Sequence, residues 1–171
     1  MRSIREAKQE DIPHIRSLAF AIWPDTYSSI ISSEQIDYML EMMYSEAALQ
    51  KQMEEGCIFL LVENQNTLVG FAAYQRLSPE EFKLHKLYVL PSEHGKGTGR
   101  ALVDQVTDAV KKQGGKKIIL QVNKNNPAKT FYDRLGFVVR EEMVLEIGNG
   151  FVMDDFVMEL GVGGGRTDVG L

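Results

Sequence analysis

One stretch constrains the fold more than any other: LYVLPSEHGKGTGRALVDQV, Leu87 to Val106. An apolar run of strand length leads through Pro91 into three alternating glycines, Gly95, Gly97 and Gly99. Leu102, Val103, Val106 and Val110 then recur at helical spacing. A strand that passes through bare backbone straight into an amphipathic helix needs a sheet to cover the helix's apolar face, so the chain reads as an α/β protein.

The flanking sequence supplies that sheet. IREA reads as a first strand, with Asp11 as cap of a helix carrying Ile15, Leu18, Ala19 and Ile22. WPDTYSS, Trp23 to Ser29, reads as a loop. Ser32 and Gln35 form a capping-box pair ahead of Ile36, Met39, Leu40 and Met43, and Ser45 caps a further short helix ending near Gly56. CIFLLVE and TLVGFAAYQ, joined at NQN, form a hairpin; FKLHKLYVL follows LSPEE and is expected antiparallel beside them. KKIILQV is a buried strand. In NNPAKTFYDRLGF, Asn126 is the expected N-cap, Pro127 the first helical residue and Gly136 the stop. FVVREEMVLEI and FVMDDFVMEL close the order as a hairpin around GNG. The sum is β-α-α-β-β-β-α-β-α-β-β with one extra short helix: a mixed sheet in a single domain over 1–160, then a Gly-rich tail over 161–171, expected to be mobile in isolation.

A net charge of -5 without a basic run argues against nucleic acid as partner. The longest apolar runs are too short to cross a bilayer, and the N-terminus lacks an export signal, so a cytoplasmic protein without a membrane partner is expected. Cys57 is the one cysteine, which rules out an internal disulfide and a Cys-rich zinc site; no metal is expected. With no partner base nearby in sequence, Cys57 reads as a buried strand thiol.

Two familiar phosphate loops do not fit the glycines. A Walker A loop needs glycine where Leu90 stands and Ser or Thr where Gly97 stands; a dinucleotide fingerprint starting at Gly97 needs glycine at Leu102. A merely flexible turn explains one glycine, not three. As the pattern stands, the amides from His94 to Arg100 (His94, Gly95, Lys96, Gly97, Thr98, Gly99, Arg100) face the space ahead of a helix N-terminus, where the dipole favours an anion such as a pyrophosphate.

With strand LYVL and Pro91 leading in, this loop resembles the coenzyme A pyrophosphate loop of the GCN5-related (GNAT) N-acetyltransferase family, Gln/Arg-x-x-Gly-x-Gly/Ala, matched by His94-x-x-Gly97-x-Gly99. His94 departs from the pattern and removes a fixed positive charge. NNPAKTFYDRLGF is similar to a second family motif through Ala128, Tyr132, Gly136 and Phe137. The resemblance spans about residues 2–160 and implies the GNAT fold, a mostly antiparallel central sheet with helices on both faces. DTY after the first helix, LHKLYVLP and MDDFVMEL are similar to bacterial spermidine/spermine-type acetyltransferases.

The resemblance implies direct transfer of acetyl from acetyl-CoA to a primary amine, a polyamine or other small amine, by a monomer or homodimer. It places the thioester carbonyl on the backbone N–H of Leu87, beside Tyr88, with Val89 pairing to the pantetheine arm where the strands splay. It makes Tyr132 the proton donor to the leaving thiolate; a phenol titrating near ~10 stays protonated at neutral pH. Ordinary helix-face packing beside Phe131 is the alternative for Tyr132. Asn123 and Asn125 are the candidates for pantetheine contacts. The glutamate that some members of the family carry on the fourth strand has no counterpart here, because Lys83 stands in its place. His85, on the same strand face as Lys83 and Leu87, is then the candidate base, or a histidine that only lines the pocket. Asp25 and Tyr27 are candidates for the acceptor site. Of Asp154 and Asp155, adjacent on one strand, at most one faces inward. A non-catalytic acetyl-CoA-binding sensor and an enzyme acting on peptide N-termini stay open as alternatives.

Overall fold

The structure is a computed structural model and describes residues 1–163. The tail predicted over 161–171 lies, from residue 164 on, outside the described residues. Seven strands form a mostly antiparallel sheet. The chain divides into two compact units, residues 1–75 with 85–106, and residues 76–84 with those from 107 onward.

The first unit holds β1 (Arg2–Glu6), α1 (Ile12–Tyr27), α2 (Ser33–Tyr44), α3 (Glu46–Glu54), β2 (Ile58–Asn64), most of β3 (Thr67–Arg76), the second half of β4 (Glu81–Val89) and the start of α4 (Thr98–Lys112). β1 pairs β2 and β2 pairs β3, both antiparallel. The β2–β3 turn has Gln65 at φ 54 and Asn66 at φ 64, the two left-handed residues of a primed hairpin turn. Ser32 and Ser45 cap α2 and α3 as expected, accepting from Gln35 N and Ala48 N, each at 3.1 Å. The core is aromatic: Trp23, Tyr44, Phe59 and Phe71 are each at most 1% exposed. Burying each such side chain contributes roughly 1.5–3 kcal/mol.

Two local expectations are corrected. Trp23, Pro24, Asp25, Thr26 and Tyr27 form the last turns of α1, not a loop. Pro24 removes one amide donor, yet Ser28 N still reaches Pro24 O at 3.0 Å, and Trp23 packs on Tyr27 and Tyr44 with centroids 4.5 and 5.8 Å away. Buried aromatic packing outweighs the proline's local cost of about 3 kcal/mol. Asp11 occupies the N-cap position of α1 but makes no side-chain cap bond. Its carboxylate accepts Lys8 N and both ends of the Arg5 guanidinium, each at 2.9 Å, which holds it down to about 2.

The second unit holds the first half of β4, the rest of α4, β5 (Lys117–Asn123), α5 (Ala128–Arg134), β6 (Val138–Gly148) and β7 (Phe151–Gly161). β5 runs parallel to β4 over Glu81↔Lys117 to Lys83↔Ile119, and antiparallel to β7 along its whole length. β6 and β7 close the unit as the predicted hairpin, with Asn149 at φ 54 and Gly150 at φ 80. The start of α5 is shifted by one residue: Pro127 is its N-cap and Ala128 its first residue. Asn126 still caps with its side chain, accepting Ala128 N at 2.9 Å. Phe82, Val110, Ile118 and Phe137 fill the core of this unit.

Candidate functional site

The glycine loop is held by side chains on either side of it. Pro91 to Glu93 form a 3-10 turn, and Thr98 begins α4. Ala101 N donates to Gly97 O at 3.0 Å, the first bond of the helix. By helix geometry the amides of Thr98, Gly99 and Arg100 lack intrahelical acceptors and point out ahead of the helix. Gly95 and Gly97 sit at φ +81 and +80, where only glycine is unstrained, and a Cβ on Gly95 would meet nothing within 4 Å. Of the amides expected to face an anion, those of His94 and Lys96 are instead spent inside the turn, on Pro91 O at 3.1 Å and Glu93 O at 3.2 Å; the rest form a cradle of backbone donors, which suits a pyrophosphate.

Two residues of the cradle carried no signal in the sequence. Glu93 is 5% exposed; its Oε1 accepts Thr98 Oγ1 at 2.8 Å and Asn64 Nδ2 at 3.1 Å. These donors hold the carboxyl below its usual range, with Lys96 adding to the effect. Arg2, on β1, donates from Nη2 to Lys96 O at 2.6 Å, and the same nitrogen lies 3.9 Å from where a Gly97 Cβ would stand. A fixed positive charge thus stands at the loop, although the exposed His94 does not supply one.

Leu87, Tyr88 and Val89 form the end of β4. Leu90 N donates to Val69 O at 2.8 Å, and Tyr88 O faces Gly70, so these residues turn their polar groups toward β3. By strand alternation Leu87 and Val89 turn theirs to the other edge. Val69 is the extra residue of a bulge in β3, since Val62 pairs Gly70 and Glu63 pairs Leu68. Tyr88's hydroxyl meets that of Tyr27 at 2.9 Å inside the cluster of Trp23, Tyr44 and Phe71. Tyr27 is buried there, whereas Asp25 on the same helix is exposed, so the structure does not place these two together. His85 is half-buried, its Nε2 2.9 Å from Gln75 Oε1.

In the second unit Tyr132 is buried on α5, edge-on to Phe131 and Phe137 with centroids 5.3 and 5.5 Å away. Asn123 is buried at the end of β5 and turns its Oδ1 onto Asn125 N at 2.8 Å, while Asn125 is exposed. Lys83 donates to Gln121 Oε1 at 2.6 Å, and burial lowers its pKa. Asp154 is exposed and pairs with Lys124 at 3.1 Å; Asp155 is buried. Cys57 is buried just before β2, and desolvation raises its thiol to about 11, which keeps it protonated and unreactive. Among the described residues no group of three His, Cys, Asp or Glu is placed to hold a metal. No described helix is long and apolar enough to cross a membrane.

The model of the acetyltransferase (GNAT) domain matches residues 28–159, and the chain belongs to that family. The uncharacterized N-acetyltransferase YuaI of Bacillus subtilis is 28% identical over 137 residues, covering 77% of this chain and 78% of its own. A spermidine N(1)-acetyltransferase of Thermoplasma acidophilum is 27% identical over 157 residues, covering 88% of this chain and 94% of its own. The solved PaiA N-acetyltransferase of Thermoplasma acidophilum, in complex with coenzyme A, superposes with a TM-score of 0.80 at 27% identity, over 94% of this chain and 99% of that one. The protein is an acetyl-CoA-dependent N-acetyltransferase.

Proposed function

We propose that the acceptor is a small primary amine, a polyamine such as spermidine before any other, and that the residues above divide the work as follows. Acetyl-CoA supplies the activated acetyl group as a thioester. The amides of Gly95, Gly97, Thr98, Gly99 and Arg100 hold its pyrophosphate, with Arg2, Lys96 and Arg100 adding positive charge. Val89 pairs with the pantetheine arm. The N–H of Leu87 points to the thioester carbonyl and stabilises the developing oxyanion; single donors of this kind contribute about 2–4 kcal/mol. Asn125, whose side chain is exposed, reaches the pantetheine, while Asn123 shapes the turn that presents it. Tyr132 gives a proton to the departing thiolate, and His85 takes one from the amine, directly or through water.

The observation that carries the acceptor is the likeness to a spermidine N(1)-acetyltransferase over 157 residues, 94% of that relative. A [ribosomal protein bS18]-alanine N-acetyltransferase of Haemophilus influenzae is also similar, at 32%, but over only 94 residues. Release of free thiol from acetyl-CoA across spermidine, spermine, monoamines and N-terminal peptides tests the reading. Polyamines are expected to give the highest kcat/KM; turnover of peptides with none of polyamines overturns the choice of acceptor.

A further inference from the structure

One face of the second unit gathers polar groups from four strands. Lys83 of β4, Gln121 and Asn123 of β5, Met143 of β6 and Asp155 of β7 meet there: Asp155 is registered opposite Asn123 on one side and Met143 on the other. Gln121 Nε2 reaches Met143 Sδ at 3.4 Å and Asn123 Nδ2 reaches Met153 Sδ at 3.8 Å. Asp155 is 6% exposed, and its Oδ1 is fully buried without a hydrogen-bond partner. Buried carboxylate oxygens are almost always bonded, because leaving one bare costs the full desolvation of the group. Lys83 Nζ donates to Gln121 Oε1 at 2.6 Å and not to this oxygen, so the nearby cation eases the carboxylate only in part.

We propose that Asp155 is the ammonium-binding residue of the acceptor site, its buried Oδ1 receiving a protonated amino group of the incoming amine. This rests on the acetyl-transfer reading above for the identity of the amine. What the site offers a cation is the desolvated carboxylate, set among two thioether sulfurs and two amides whose oxygens already accept Lys83 Nζ and Asn125 N. A cationic guest restores the interaction that burial removed, so an aliphatic ammonium binds better than a neutral amine of the same shape. Asp155 also stands beside Asn123, so its guest comes to the end of β5 where the pantetheine contact is proposed.

The titration of the carboxyl gives the proposal a distinct signature. Burial first, and the neighbouring Asp154 second, raise Asp155 to about 6, against a smaller opposing effect of Lys83. Lys83 is the charged group on its face and Asp154 its neighbour along the strand, turned the other way; Gln121, Asn123 and Met143 do not titrate. Above about 6 the carboxylate is charged and receives the ammonium, and below that it is neutral. An aliphatic ammonium near ~10 stays protonated throughout, so the amine's own titration does not interfere.

Spermidine binding to the full-length protein, measured by calorimetry between about pH 5 and 8, tests this, with Asp155→Asn and with the KM for spermidine alongside. The wild-type affinity is expected to fall about tenfold per pH unit below the midpoint. Asp155→Asn is expected to bind spermidine at least tenfold more weakly, without that pH limb, and to keep acetyl-CoA affinity unchanged. Equal spermidine affinity and the same pH profile in Asp155→Asn overturn the proposal. If the variant does not fold, the wild-type titration decides alone: a flat profile across the midpoint overturns it. Spermidine binding that depends on Asp155 without any turnover supports the ammonium site and sinks the acetyl-transfer acceptor instead.

Discussion

Thr98 donates its hydroxyl to Glu93 Oε1 at 2.8 Å, a buried bond that ties the turn entering the glycine loop to the first residue of the helix leaving it. The hydroxyl has no exposure at all, so the loop's open amides stand on a fixed base. Glu93→Ala is expected to leave Thr98 unpaired and to weaken acetyl-CoA binding about tenfold, read by calorimetry, because a buried hydroxyl at the base of the loop loses its charged acceptor. The pH dependence has a definite sign. Because the folded Glu93 titrates below its ordinary range, its contribution to stability is complete above the unfolded value and is lost as pH falls through the folded one.

Gly97→Glu tests the cradle itself. At φ +80 any side chain is strained, and a carboxylate there sets a like charge against the phosphates. Acetyl-CoA is expected to raise the melting temperature of the wild type by linkage and to leave that of Gly97→Glu unchanged. A folded variant with the wild-type shift contradicts the loop's role.

Gly70→Ala acts from behind the strand that carries Leu87 and Val89. The added Cβ would stand 2.7 Å from both Tyr88 O and Val89 Cγ1, closer than any real contact. Overpacking of this kind costs about 1–3 kcal/mol, so a lower melting temperature is expected. Because the displaced backbone is the proposed pantetheine edge, KM for acetyl-CoA is expected to rise with it.

The glycine loop was legible because bare backbone at three alternating positions has few other uses, and the hairpin turns because Gln65-Asn66 and Asn149-Gly150 are left-handed pairs. The end of α1 was not: Pro24 and its polar neighbours spell a loop, and only the packing of Trp23 against Tyr27 and Tyr44 keeps the helix going. Glu93 and Arg2 carry no periodic signal, since their partners are Asn64, Thr98 and Lys96, reached through the fold. Asp155 was half legible. Alternation said that only one of the two aspartates turns inward, but not that the buried one stands opposite Asn123 and shares a face with Lys83.

Tyr132→Phe keeps the ring against Phe131 and Phe137 and deletes the hydroxyl alone. A thiolate from a thiol near ~8.5 is a fair leaving group, so the loss sits at the low end of general-acid effects, roughly 10²-fold in kcat. Acetyl-CoA affinity is expected to stay within several-fold. A variant retaining most of its kcat at neutral pH assigns the proton to water or another group.

Direct acetyl transfer to a polyamine is tested by following both products of one reaction. Acetyl-CoA and spermidine are incubated with the enzyme, free thiol is measured by absorbance, and acetylated spermidine by mass spectrometry. One N-acetylspermidine is expected for each thiol released, with negligible thiol release when spermidine is left out. Thiol released without acetylated amine, or no thiol released at saturating spermidine, contradicts it.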